Sequence, residues 1–198
     1  MQHKHLLTFG SIMVAAWAIG TFALIYFYPH LLYSALERSI ESHGVDANTS
    51  SGIPINTLYA TPDLASPSAT SSNVLATGNH DTLYVVGLLD LSKGPQVLHV
   101  PDMTGRYYSV QFTDPNNGSD FAYVGTRTTG TDAGNYLITG PGWKGVVPSG
   151  MKQISSPNNS VLVIGRVLVE SDSDISAAYG LSKQIQLIPL SGYQLSQN

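Results

Sequence analysis

The first apolar feature of the chain is a run of 23 uncharged residues, 6–28. As an α-helix this run would rise about 34 Å, which is enough to cross a hydrocarbon core of about 30 Å. The run ends in Tyr26 and Tyr28, which suit a membrane interface, and Pro29 is the predicted end of the span. Residues 1–28 are therefore predicted to be a transmembrane anchor. A cleaved signal peptide, which is usually shorter, and a buried soluble helix are the alternatives.

Residues 29–78 divide into an amphipathic part and a polar part. Large apolar residues recur at four-residue spacing from Leu32 to Ile40, which predicts a juxtamembrane helix that ends at Gly44. Residues 45–78 are rich in Ser, Thr, Asn, Pro and Ala and carry almost no charge. They are predicted to form an extended connector.

A pattern typical of β-strands begins after Gly78. Residues 79–198 contain runs rich in Val, Ile, Leu, Tyr and Phe that are separated by turn residues. The predicted strands are residues 83–91, 96–100, 106–113, 120–124, 135–139 and 160–169. Tyr108, Val110 and Phe112 alternate with polar residues, as in a strand that buries one face.

The last predicted strand is apolar on both faces except at Arg166, which places it in the centre of a sheet. One short C-terminal helix is predicted after Ser171 and Asp174, whose spacing resembles a capping box, and Pro189 ends that segment. Few helices lie between the strands. The predicted fold class is therefore mainly β, an antiparallel β-sandwich or jelly-roll-like domain behind one N-terminal transmembrane helix.

Charge and composition narrow the classes of function. Of the 198 residues only 11% are charged, the net charge is −4, and there is no run of Lys and Arg, so nucleic acid is not expected as a partner. The chain has no cysteine, which excludes disulfides, thiolate zinc sites and a cysteine nucleophile.

The charges that flank the apolar run predict its orientation. Lys4 precedes the run, while Glu37, Arg38 and Glu41 follow it. By the positive-inside rule the N-terminus lies in the cytoplasm and the C-terminal domain outside. We therefore expect a single-pass protein of the cytoplasmic (inner) membrane, with a periplasmic or extracellular domain and the lipid bilayer as a partner.

Gly140, Gly142 and Gly145 have the G-x-G-x-x-G spacing of dinucleotide-binding loops. Such a loop needs a helix directly after it, because the N-terminus of that helix holds the phosphate. Here Val146 and then a Pro-Ser-Gly turn follow. We predict instead a turn with Trp143 packed on it, and no cofactor is expected.

Several short motifs follow one another through the β-rich part of the chain. They are Asn-x-Asp-Thr-Leu-Tyr at 79–84, Asp-Leu-Ser-x-Gly-Pro at 90–95, Gly-Arg-Tyr-Tyr at 105–108, Gly-Thr-Arg at 125–127 and Gly-Pro-Gly-Trp at 140–143. Together they resemble the bacterial DUF1254 family, whose function is unknown. The resemblance covers roughly residues 53–190. It implies a β-sandwich-like domain and does not imply a reaction.

Longer members of that family join this domain to a second β-rich domain, and short membrane-anchored members also exist. This chain ends at Asn198 without the second domain, so it resembles the short type. Small residues at i, i+4 in the apolar run, such as Ala16 and Gly20, suit close helix packing in lipid. A second anchored envelope protein that carries the missing domain is therefore predicted as a partner.

Seven residues are candidates for ligand binding, and no catalytic residue is identified. The candidates are Asn79, Asp81, Tyr84, Arg106, Tyr108, Arg127 and Trp143. Arg106 and Arg127 lie near tyrosines in the sequence and could together hold a carboxylate or a sugar; the alternative is structural pairing with an aspartate. The segment Asn79-His80-Asp81-Thr82 could place a general base or a metal ligand at the start of the strand. The alternative is that Asn79 and Asp81 bond backbone amides in a turn before the strand.

Metal binding is not predicted. Residues 114–120, Asp-Pro-Asn-Asn-Gly-Ser-Asp, offer oxygen ligands for calcium but lack the order of an EF-hand, so a surface turn is expected. His80 and His99 have no spacing typical of a zinc site.

Two hypotheses on function follow from these patterns. In the first, the protein is a membrane-anchored binding or assembly module of the cell envelope. In the second, it is an envelope hydrolase or carbohydrate-active enzyme with a pocket around Asp81, Arg106 and Arg127. A catalytic pocket should contain a carboxylate or histidine with a strongly shifted pKa, whereas a binding module should expose an apolar or aromatic patch.

Overall fold

A computed structural model of the chain describes residues 2–45, 49, 51–65 and 79–196. Its first element is one long helix, α1, at Gln2–His43. Residues 30–43, which were predicted to form a helix up to Gly44, are the last third of α1. Helix α1 runs through Pro29 without a break, so the end of the uncharged run at Pro29 does not interrupt the helix. Proline removes one backbone hydrogen bond, and here the helix continues on both sides of that loss.

Helix α1 ends where the sequence predicted. Gly44 has a φ of 70° and donates its N–H to the carbonyl oxygen of Ile40 at 3.1 Å. A residue in this left-handed conformation is a common end for a helix, and glycine adopts it without a steric penalty. The polypeptide therefore turns sharply at Gly44.

The rest of the described chain consists of nine strands and two short α-helices. The strands are β1 Tyr59–Ala60, β2 Thr82–Asp90, β3 Gln96–Val100, β4 Tyr108–Asp114, β5 Ser119–Gly125, β6 Gly134–Thr139, β7 Lys152–Ser155, β8 Ser160–Leu168 and β9 Gln186–Pro189. The helices are α2 Ile175–Ser182 and α3 Leu190–Ser196, and 3-10 turns lie at Leu91–Lys93 and Asp172–Asp174. The mainly β class and a short C-terminal helix are thus confirmed.

The strands form two sheets. The first sheet has the order β1-β2-β8-β4-β5 and is antiparallel throughout, with β8 in its centre as predicted. The second sheet has the order β7-β6-β3-β9. Its β6–β7 pair is parallel, which departs from the predicted antiparallel arrangement. The sequence from 140 to 151 joins that pair as a long loop, and no helix follows Gly145.

The core lies between the two sheets. Tyr108, Val110 and Phe112 all point into it and are fully buried, as their alternation predicted. Leu83 and Val85 of β2, Val163 and Val167 of β8, and Leu98 and Ile138 of the second sheet meet them there. Alternate residues of β2, β8 and β4 therefore point to the opposite, outer face of the first sheet.

Part of this outer face is covered by α1. Ile40 is fully buried in a second apolar cluster with Val86, Leu88 and Leu162, and Tyr33 and Leu36 pack against that cluster. Glu37 accepts a hydrogen bond from the Ser160 hydroxyl at 2.7 Å. The last third of α1 is therefore part of the domain.

The described part of the predicted connector also packs on the first sheet. Strand β1 pairs with β2, the Thr61 hydroxyl accepts the Tyr84 N–H at 3.0 Å, and the Asn56 carboxamide oxygen accepts the Asp90 N–H at 2.9 Å. Residues 53–65 are thus attached to the sheet. Residues 46–48, 50 and 66–78 of that connector lie outside the described residues.

Candidate functional site

The part of the outer face that α1 leaves uncovered forms an open groove. It consists of two adjoining depressions of about 600 and 360 Å³, which share Tyr107 and Arg166. The first is lined by Asn79, His80, Asp81, Thr82, Tyr84, Tyr107, Arg166 and Leu168. The second is lined by Tyr107, Tyr108, Ser109, Gln111, Tyr123, Val124, Gly125, Arg127, Thr128 and Arg166. We call the two together the arginine groove.

Arg166 occupies the middle of the arginine groove. It lies on β8 between Tyr84 of β2 and Ser109 of β4, which are its direct neighbours across the sheet. Its guanidinium carbon is 5.6 Å from the centre of the Tyr84 ring. This distance is within the range of a cation–π contact, which holds the side chain against the sheet.

Arg127 repeats this arrangement at the end of the second depression. Its guanidinium carbon lies 5.4 Å from the centre of the Tyr107 ring. Arg127 is exposed in the segment that follows β5, while Tyr107 immediately precedes β4. The groove therefore contains two arginines, each of which lies over a tyrosine.

Neither arginine has an acidic partner in the part of the chain that the structure describes. The two salt bridges found there are Lys93–Asp90 and Arg106–Asp174. A guanidinium offers up to five N–H donors in a planar fork that matches a carboxylate or phosphate. Arg127 and Arg166 can thus offer charge-assisted hydrogen bonds to an anion that enters the groove.

The β5 side of the arginine groove is closed by a hydrogen-bond network around Asp120. This carboxylate accepts bonds from the Gln111 side-chain amide at 2.9 Å, the Thr113 hydroxyl at 2.7 Å and the Tyr123 hydroxyl. The bond to Asp120 raises the pKa of the Tyr123 hydroxyl. Tyr123 therefore stays neutral, and the network fixes the wall of the groove.

At the opposite end, Asn79 has a structural role. Its side-chain oxygen accepts the Thr82 N–H at 3.2 Å, and its amide donates to the Thr82 carbonyl oxygen at 3.1 Å. These bonds fix the entry into β2, which was the alternative considered for this residue. His80 and Asp81 are exposed beside it at the rim of the groove.

Arg106, in contrast, does not line the arginine groove. Its guanidinium forms two parallel bonds to Asp174, of 2.6 and 2.7 Å, and a third to the Leu168 carbonyl oxygen. Asp174 also accepts the Glu170 N–H at 3.0 Å. The Arg106 guanidinium and then this N–H lower the pKa of Asp174 to about 2. Arg106 joins the segment before β4 to the start of α2. This is the structural pairing with an aspartate that was the alternative to ligand binding.

Most of the other residues predicted to bind a ligand lie in or beside the arginine groove. Asn79, Asp81, Tyr84 and Arg127 line the groove, and Tyr108 borders it with a side chain that is fully buried in the core. The Tyr108 hydroxyl donates to the Gly130 carbonyl oxygen at 3.1 Å. Trp143 packs over Gly145 in the loop between β6 and β7 and does not line the groove.

Sequence reasoning missed Arg166, the residue at the centre of the groove. The signal was present, because Arg166 is the one charged residue in the otherwise apolar β8. A charge on a central strand has to face a region that no apolar layer covers. Gln111 and Tyr123 gave no comparable signal, since polar and aromatic residues are ordinary on a half-exposed strand.

The Asp-Pro-Asn-Asn-Gly-Ser-Asp segment forms the turn between β4 and β5. The Asp114 carboxylate accepts the Asn116 N–H at 2.9 Å and the Asn158 side-chain amide at 2.7 Å. Its oxygens thus satisfy donors within the chain. Among the described residues, no group of three or more His, Cys, Asp or Glu side chains could hold a metal ion.

These features define a two-sheet β-sandwich whose N-terminal helix covers half of one outer face and leaves an arginine-lined groove on the other half. Residues 55–189, more than half of the chain, match the family model described as "Protein of unknown function (DUF1254)". The protein therefore belongs to the DUF1254 family, which confirms the resemblance seen in its motifs.

Two solved structures are similar to the chain. One is the VPA0106 protein from Vibrio parahaemolyticus, with 26% identity and a TM-score of 0.64 over 85% of this chain. The chain spans 37% of the length of that protein. The other is an uncharacterized protein from Burkholderia cenocepacia, with 11% identity, 69% of this chain and 36% of that chain covered, and a TM-score of 0.40 that supports no inference. No curated protein matches the chain.

Proposed function

We propose that the protein is a membrane-anchored binding module of the cell envelope, and that the arginine groove holds a ligand that carries a carboxylate. One observation supports this proposal most directly. Two arginines line one open groove, and neither forms a salt bridge with a described residue. An arginine held over a tyrosine is already oriented, so little conformational entropy is lost when it binds an anion.

The anchoring part of the proposal is supported by α1. It contains a segment long and apolar enough to cross a membrane, and none of residues 12–28 is buried against the domain. Lys4 before the segment supports an N-terminus in the cytoplasm and a domain outside it. A reporter enzyme fused after Asn198 should then be active outside the cytoplasm, and activity in the cytoplasm would contradict this orientation.

The ligand can be tested with arginine side-chain NMR. The chain has four arginines, Arg38, Arg106, Arg127 and Arg166, so their Nε–H signals can be assigned by single substitution to lysine. The full chain in detergent is titrated with a galacturonate trimer and, separately, with its methyl ester. We expect the acid to shift the signals of Arg127 and Arg166, and to leave that of Arg106 in place because Asp174 already holds it.

Substitutions then separate binding from folding. Arg127→Ala and Arg166→Ala should each weaken binding of the acid, whereas Arg38→Ala, an exposed position on α1, should leave it unchanged. A bidentate carboxylate contact is a charge-assisted interaction of about 1.5–3 kcal/mol, so the loss per arginine should exceed about tenfold. Equal shifts with the acid and its ester would show that the groove does not select a carboxylate.

The enzyme hypothesis gains no support from the groove. It required Arg106 beside Asp81 and Arg127, and Arg106 is bound to Asp174 instead. The described carboxylate with the strongly lowered pKa is Asp174, which does not line the groove.

We also propose a second anchored envelope protein as a partner, which is supported by the exposed face of α1. Ala16 and Gly20 are exposed one turn apart, and no neighbouring atom lies within 4 Å of a Cβ built at Gly20. Ser11 and Ala15 are a second pair of small residues at this spacing, and the side chain of Ser11 lies outside the described residues. Crosslinking in intact membranes should trap a heteromer that Gly20→Leu weakens; recovery of monomer alone would contradict the proposal.

A further inference from the structure

The turn between β4 and β5 lies against α1 near the outer end of the apolar run. Gly118 of this turn packs directly on the ring of Tyr33, so closely that a Cβ at Gly118 would come within 2.4 Å of that ring. Tyr33 is five residues beyond Tyr28, the last residue of the apolar run. The contact therefore fixes the turn close to the level at which α1 would leave the membrane.

A slot of about 270 Å³ separates the turn from the helix just below this contact. Phe22, Ile25, Tyr26, Pro29 and His30 line it on the helix side, and Asn116 and Asn117 line it on the turn side. The first three are more than half exposed in the isolated chain. Exposed apolar side chains on a spanning helix are covered by lipid in a bilayer, and the slot is continuous with that surface.

The turn offers a free donor at this place. The side-chain oxygen of Asn117 accepts the Ser119 N–H at 2.9 Å and the Ser119 hydroxyl at 2.5 Å. Its amide nitrogen has no hydrogen-bond partner among the described residues. Phosphate and ester oxygens of a phospholipid are acceptors found at this depth, so the polar side of the slot matches the headgroup region and the apolar side matches an acyl chain.

We propose that the β4–β5 turn rests in the outer headgroup layer of the bilayer, held there by its contact with Tyr33, and that a phospholipid occupies the slot. This inference depends on the proposed membrane anchoring. It also orients the domain. Strand β4 is seven residues long and rises about 3.3 Å per residue, so its far end, beside the arginine groove, lies about 20 Å from the turn. The two arginines of the groove lie near the end of β4 that is farther from the turn.

The absence of cysteine allows a direct test with single labels. Asn117→Cys, Ile19→Cys and Thr104→Cys are each labelled with a fluorophore in the full chain and reconstituted into vesicles of phosphatidylethanolamine and phosphatidylglycerol. Thr104 is the matched control, an exposed turn residue beyond the other end of β4. Nitroxide lipids labelled on the headgroup or deep in the acyl chain serve as quenchers.

We expect the headgroup nitroxide to remove most of the emission at position 117 and little at position 104, and the acyl-chain nitroxide to quench position 19. If position 19 is not quenched, the anchoring itself is wrong. If position 19 is quenched while position 117 behaves like position 104, the anchoring stands and the lipid contact of the turn is wrong.

Two glycine substitutions test the role of Tyr33. Gly118 and Gly130 both have positive φ angles, of 72° and 89°, so alanine strains the backbone at both. Only at Gly118 does the added Cβ meet Tyr33, since it would meet nothing within 4 Å at Gly130. In the Asn117→Cys background, Gly118→Ala should reduce quenching by the headgroup nitroxide and Gly130→Ala should not. Equal quenching in both would overturn the proposed role of the Tyr33 contact.

Discussion

The outer face of the first sheet has two halves that differ in what they contact. In the covered half, Val86, Leu88 and Leu162 pack beneath Ile40 of α1. At the boundary Tyr84 packs in the same cluster and also lines the arginine groove, and Arg166 lies in the open half. The change from side chains that pack under α1 to side chains that face the groove occurs within a few residues of the same strands. The sequence of each strand therefore determines the two halves, and no separate domain is needed to form the groove.

Strand β8 runs through both halves and shows how its outward residues differ between them. Its outward residues change from Leu162 to Arg166 where the cover by α1 ends. A charged side chain beneath the helix would lose its hydration, whereas the partly exposed Arg166 keeps its contact with water in the open half. The covered half therefore contributes to stability, while the open half is available for binding.

Ile40→Ala should have the largest effect on stability. Ile40 is fully buried between α1 and the sheet, and truncating a buried isoleucine costs about 3 kcal/mol through lost burial and the cavity that remains. Denaturant unfolding in mild detergent, followed by circular dichroism, measures the loss. Leu32→Ala is the control, because Leu32 is more than half exposed on the same helix. Equal effects of the two substitutions would show that α1 does not stabilise the covered half.

Arg106→Ala should destabilise the domain more than Arg166→Ala. Removal of Arg106 leaves the Asp174 carboxylate without its bidentate partner, at a cost of about 2 kcal/mol. Removal of Arg166 loses a partly exposed cation–π contact, at a cost of less than about 1 kcal/mol. Melting temperatures of the two variants give the order. The reverse order would mean that Arg166 is structural and would remove the main support for the binding site.

The ion pair also predicts how stability depends on pH. The pKa of Asp174 falls from 3.8 to about 2 on folding, so the folded state favours the ionised carboxylate. Its contribution is therefore present above about pH 4 and is lost as the pH falls toward 2. The wild-type chain should be more stable than Asp174→Asn at pH 6, and the difference should shrink toward pH 2. A constant difference across this range would contradict the assigned role of the charge.

The division between the two halves could be predicted from sequence only in part. The apolar periodicity of residues 32–40 predicted the helix but not that it covers the sheet, and alternation in β4 predicted the buried face of that strand. The partner of Arg106 could not be predicted, since Asp174 is 68 residues away and the sheet brings the two together. Short edge strands were also missed: β7 and β9 have four residues each, mostly exposed or half-buried, and too few to show a period.

Tyr123→Phe should have the smallest effect on stability and tests whether the open half can change without damage to the fold. Tyr123 is 44% exposed, and Asp120 keeps its bonds from Gln111 and Thr113 when the hydroxyl is removed. We expect a loss of about 0.5 kcal/mol or less at pH 7.

The bond to Asp120 raises the pKa of Tyr123, so this hydroxyl stabilises the folded state below about pH 10 and ceases to do so as the pH rises further. The wild-type chain should therefore lose more stability than Tyr123→Phe between pH 9 and 11, as measured by denaturant unfolding at each pH. The raised pKa of the buried Tyr108 contributes equally in both chains and cancels from the comparison. A loss at pH 7 as large as that of Arg106→Ala would show that the wall of the groove is a structural element, and the open half would then no longer differ from the covered half.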